Sequence, residues 1–85
     1  MTYSYTIKPE MDLKAFLQAC EKIRKKFPNA QTDGIVTDIL DGSHYEKFDI
    51  GSDWIRVYDD FDVGAVFVES TVRLNDLFEK EFIDD

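Results

Sequence analysis

Between Ile35 and Glu69 large apolar residues occupy both phases of a two-residue period, and turn signals interrupt the run at Asp41-Gly42, Gly51-Ser52 and Asp59-Asp60-Phe61-Asp62. Aromatic and β-branched residues at this density between closely spaced turns specify a β-meander rather than loops. A meander that is apolar on both faces constrains the rest of the chain severely. The chain's own helices can cover one face, and the large side chains of the other then form a candidate interaction surface.

The turns set a register. A two-residue turn at Asp41 and Gly42 would pair Ile39 with His44 and Ile35 with Phe48. A turn at Gly51 and Ser52 pairs Phe48 with Ile55 and Glu46 with Val57. A connection through Asp59 to Asp62 pairs Ile55 with Val66 and Val57 with Gly64. The expected core face is then Ile35, Ile39, Phe48, Ile50, Ile55, Val57, Val66 and Val68, with Gly64 among them, where a missing side chain could let a helix approach closely. The opposite face receives Val36, Leu40, Tyr45, Trp54, Tyr58, Val63, Ala65 and Phe67, interspersed with Asp38, Lys47, Asp49 and Arg56. A slip of one residue in any hairpin would exchange part of the two sets.

Two helices and one more strand are expected around the meander. Tyr3, Tyr5 and Ile7 alternate with Thr2, Ser4 and Thr6 until Pro9, the pattern of a half-buried strand. Asp12 can cap a helix whose stripe is Leu13, Phe16, Leu17, Cys20, Ile23 and Phe27. Arg24, Lys25 and Lys26 suit the negative end of its dipole, and Pro28 prevents its continuation. From Ser70 the tail predicts a second helix, capped by Ser70 or Thr71, with Leu74, Leu77, Phe78 and Phe82 as its stripe and a frayed end at Asp84 and Asp85. The order β-α-β-β-β-β-α defines one α+β domain over residues 1–85, mainly an antiparallel meander with two helices packed on one face. The place of the first strand in the sheet stays open, as does the alternative in which one helix covers each face.

Composition narrows the function classes. Seven Phe, four Tyr and one Trp in 85 residues suffice for one core and argue against disorder. A net charge of −8 argues against contact with a nucleic-acid backbone and permits a basic protein partner. The single cysteine, Cys20, excludes an intramolecular disulfide and a cysteine-based zinc cluster. Met1 to Glu10 contains no apolar signal region and no stretch reaches the length of a membrane span, so a cytoplasmic protein without a membrane partner is expected.

No motif for chemistry emerges. Cys20 lies within the first helix's apolar stripe, where a free cysteine behaves as a small hydrophobe, and His44 has no orienting partner that would make it a base. Asp59, Asp60 and Asp62, with Asp53 and Glu69, are acidic enough for a hard cation. Read from Asp60, however, Gly64 falls where a calcium loop needs a ligand and Thr71 where it needs a glutamate. The four glycines are dispersed and form no phosphate loop. Tyr45, Trp54 and Tyr58 with Lys47 and Arg56 have the make-up of an aromatic platform for single strands, but the cations are too few.

The expected function is therefore a small acidic, non-enzymatic module with no cofactor, no metal, no nucleic acid and no identified small-molecule substrate. It would bind a protein partner or form a homodimer through Tyr45, Trp54, Tyr58 and Phe67 as anchors, with Lys47 and Arg56 supplying polar specificity. One alternative is an acidic inhibitor or nucleic-acid mimic, in which Asp38, Asp41, Asp49, Asp53, Asp59, Asp60 and Asp62 imitate phosphates toward a basic protein; the other, less favoured, is an enzyme whose turnover would depend on His44.

Overall fold

Alternation at Tyr3, Tyr5 and Ile7 produces the first strand, β1 (Thr2–Lys8), with Tyr5 fully buried; a bulge at Ile7 precedes Pro9. Asp12 then starts helix α1 (Leu13–Lys26) by accepting the Ala15 N–H at 3.0 Å, and Phe16, Ala19, Cys20 and Ile23 form its buried face. The remaining strands of the computed structural model are β2 (Val36–Thr37), β3 (His44–Ile50), β4 (Asp53–Asp60), β5 (Ala65–Ser70) and β6 (Glu81–Asp84). The structure describes residues 1–78 and, as backbone, residues 81–84. Among the described residues no helix is long and apolar enough to cross a membrane.

The strands form one antiparallel sheet of order β2-β3-β4-β5-β1-β6, which places β1 between β5 and β6. Four strand spacings, roughly 19 Å, separate β1 from β2. Helix α1, 14 residues and roughly 21 Å long, covers part of that distance packed over β4, β1 and β5, and the link after it completes the crossing. It starts where the Asp12 N–H donates to Asp59 Oδ1 at 3.1 Å, and the chain after it rejoins the sheet where Gln31 and Asp49 exchange both backbone hydrogen bonds. The helix thus crosses the sheet diagonally, from the end where β4 finishes to the end where β3 finishes. Phe48, Ile55, Val57, Val66 and Val68 are fully buried beneath it, each contributing about 1.5–3 kcal/mol.

The α+β class and the antiparallel meander are as expected; the tail is not. No second helix forms among the described residues: after β5 the chain makes a turn at 75–77, and residues 81–84 run as β6 along the open edge of β1. The expected caps are engaged elsewhere. Ser70 Oγ donates to the Val72 carbonyl and accepts the Val72 N–H, while Thr71 Oγ1 accepts the Trp54 N–H at 2.9 Å. An uncapped helix of this length is marginal, whereas the edge of β1 offers a ladder of backbone partners. Leu74 and Phe78 are nonetheless buried on the α1 side, tied there by the Leu74 N–H donating to Tyr5 Oη and by an ion pair between Lys26 and Asp76. Of the expected second helix, Phe82 falls in β6, and residues 79, 80 and 85 lie outside those described.

Two of the three turns also differ from expectation. The Gly51-Ser52 hairpin pairs Phe48 with Ile55 and Glu46 with Val57, as the spacing predicts. The first hairpin instead pairs Val36 with Tyr45 and Thr37 with His44, so Ile39 belongs to a turn and neither Ile35 nor Ile39 is buried. The third pairs Ile55 with Ser70 and Val57 with Val68, because β4 continues to Asp60 before turning. Gly64 is therefore not a core-face strand residue. It closes the turn by donating its N–H to the Asp60 carbonyl, with φ at +68°, a conformation that glycine adopts without strain.

Candidate interaction surface

With α1 and the described tail on one side, the other side of the sheet carries side chains from β2 to β1 and no described element covers it. Pairing across the strands aligns Val36, Tyr45, Tyr58, Phe67 and Thr6 in one row, and Lys47, Arg56, Glu69 and Ser4 in the next. Trp54 lies opposite Asp49. All six residues expected at the surface, Tyr45, Trp54, Tyr58, Phe67, Lys47 and Arg56, therefore share this face.

The aromatic row is packed rather than loose. The Tyr58 and Phe67 rings stack at 4.8 Å with 17° between planes, and Tyr45 adjoins Tyr58 at 6.3 Å. The Arg56 guanidinium lies 4.1 Å from the Trp54 ring centroid, and the Lys47 ammonium lies 5.9 Å from that of Tyr45. Each cation gains from the negative face of the ring beneath it. These contacts leave the aromatic side chains half-buried and packed against one another. Burial, with Glu69 nearby, pushes the Tyr58 hydroxyl above its ordinary pKa, so it stays a neutral donor. Arg56 Nε is buried, so the guanidinium is held between the Trp54 ring and Tyr58, to which it hydrogen-bonds.

At the β3 edge the face opens into a groove of about 530 Å³, where the segment Gln31–Gly34 arches away from Tyr45, Lys47 and Asp49. The arch begins at the Gln31–Asp49 bridge and ends at the Val36–Tyr45 pair. Lys47, midway between those contacts, has no strand partner on that side among the described residues.

The reactive side chains lie on the covered side. Cys20 is fully buried, and burial, with Glu46 adjacent, pushes its thiol up to about 12, which leaves it inert as a nucleophile. His44 lies against Phe16, with ring centroids 5.9 Å apart, and its Nδ1 is 3.8 Å from Asp59 Oδ2, beyond hydrogen-bond reach. Among the described residues no three His, Cys, Asp or Glu side chains converge as a metal ion would require. Asp53 and the Asp59–Asp62 run stand at opposite ends of β4.

Two features escape the sequence reading. Glu46 is a buried carboxylate on the α1 side, accepting from Arg24 Nη1 at 2.8 Å and from Thr32 Oγ1 at 2.7 Å. Its inward position opposite Val57 is a usable signal, since an acid there needs a partner. The second feature is the pair of exposed apolar turn tips, which the sequence conceals because the spacing around Ile39 fits a strand. Comparison of the chain with known protein families, with characterised proteins and with solved structures finds no match in any of the three.

Proposed function

We propose that the protein is a non-enzymatic binding module that associates through the open sheet face, with a second copy of itself as the partner the charge distribution favours. The observation that carries this reading is the convergence of six anchor-type residues on a face that no described element covers. Charge supports a second copy. The chain carries −8, yet on this face Lys47 and Arg56 offset Asp49 and Glu69 and leave only Asp60, at the turn end of β4, uncompensated among the described strand residues, so two copies meet less repulsion there than elsewhere. A reducing compartment such as the cytoplasm suits a chain whose single thiol is buried and unpaired.

Light scattering across a concentration series tests this. The expected result is a dimer mass that reverts to monomer in Trp54→Asp, with the melting transition of the variant retained. A monomer at high concentration, or a dimer that Trp54→Asp leaves intact, would sink the proposal. The mimic reading has less support, because its seven carboxylates do not form one array. Asp59 is buried, and Asp49 and Asp53 lie at the opposite end of the sheet from Asp38, Asp41, Asp60 and Asp62.

A further inference from the structure

The β2–β3 and β4–β5 connections are two copies of one local device. Asp38-Ile39-Leu40-Asp41-Gly42 and Asp60-Phe61-Asp62-Val63-Gly64 each begin with an aspartate and end with a glycine. In each, the glycine N–H donates to the aspartate carbonyl at 2.8 Å with the glycine at positive φ, +78° and +68°. The aspartate side chain accepts a further N–H within the turn, from Leu40 in the first and from Val63 in the second, both at 2.9 Å. Pairing of His44 with Asp59 sets the turns at the same end of the sheet, and the Phe61 N–H donating to Ser43 Oγ at 2.9 Å links them directly.

This bonding consumes polar groups of the turn backbones and leaves the apolar side chains outside. Ile39 is 91% exposed, Leu40 93%, Phe61 59% and Val63 63%. Four large apolar side chains held on neighbouring braced turns are costly in water, and scattered surface hydrophobes do not share such scaffolding. Asp38, Asp41, Asp60 and Asp62 surround them, and residues 38–43 and 60–64 contain no Lys, Arg or His.

We infer that this twin-turn tip is a second docking surface, independent of the open sheet face, and that it inserts Ile39, Leu40, Phe61 and Val63 into an apolar slot bordered by Lys and Arg on a basic protein. The charge selects the partner. Two tips would oppose carboxylate to carboxylate, and the headgroups of an anionic membrane would repel the same four aspartates.

The test uses the full chain, labelled with nitrogen-15, and a synthetic amphipathic helix built of Leu and Lys. Amide shifts are expected to concentrate at Ile39–Gly42 and Phe61–Gly64. Binding should weaken at least about tenfold in the Ile39→Ser/Phe61→Ser double variant, and by a similar factor at about 0.5 M salt. Both substituted side chains are largely exposed, so the variant should keep the wild-type melting profile, and that is measured alongside. The inference is overturned if the peptide does not bind, if the shifts fall on the sheet face, if a Ser/Lys peptide of equal charge binds as tightly, or if phosphatidylcholine vesicles bind the tip instead.

Discussion

Glu46 illustrates how a single residue sets the tolerance of the core. Its carboxylate is buried between α1 and the arch after it, with Arg24 on one oxygen and Thr32 on the other, so it connects three parts of the chain. A buried charge is tolerable only while such partners hold it. Glu46→Ala removes the acceptor from both donors; because Arg24 is partly exposed and can turn to water, the expected cost is about 2 kcal/mol rather than the larger loss of a fully buried pair. Denaturant unfolding measures it, and Glu46→Gln should recover part of the loss because an amide oxygen still accepts. The Cys20 environment follows from the same arrangement, since Glu46 adds negative charge to a site already dry.

At the scale of elements, α1 is pinned at both ends by ion pairs. Lys8 holds the Asp12 carboxyl below its ordinary range, the Ala15 N–H adding to the effect, and Lys26 does the same for Asp76. A carboxyl with a lowered folded-state pKa contributes stability that is present above its unfolded value, near 3.8, and is lost as pH falls through the lowered value. Lys8 is raised from 10.5 by the same partner, so its share persists below that value and disappears only as pH rises past it. Asp12→Asn keeps a cap but removes the charge. Its melting temperature should fall below wild type by a few degrees at pH 7, and the difference should shrink as pH falls below the ordinary carboxylate range and through the lowered Asp12 value. A difference that persists in acid would place the effect in the cap rather than in the ion pair. The tail shows the limit of local signals. Leu74, Leu77 and Phe78 fit a helical stripe, but Leu74 and Phe78 reach the core through a single turn, and the backbone beyond finds better partners along β1.

For the whole molecule, the sheet separates two surfaces, one on its open face and one at its turn end, and they should act independently. Trp54→Asp is expected to abolish self-association while leaving peptide binding at the turn tip unchanged, and the Ile39→Ser/Phe61→Ser variant should do the reverse; light scattering and amide shifts on both proteins check this. Most of the division into faces is legible in the amino-acid pattern, even though turn spacing alone misplaces two of the three hairpins. The pairing differs from the spacing-based register by two residues in the first hairpin and by four in the third, and an even slip keeps every side chain on its own face. Phe48, Val57, Val66 and Val68 thus point inward in either register, while Tyr45, Tyr58 and Phe67 point outward. The sequence by itself determined the limits of α1 and the face on which the side chains of β3, β4 and β5 lie, because these follow from local periodicity and from caps within a few residues. Only the tertiary structure decided where β1 sits, what the tail becomes, how Glu46 is held and which apolar residues remain at the turn tips. Each of those depends on partners distant in sequence, whose competition for the same backbone and side-chain groups no local pattern records.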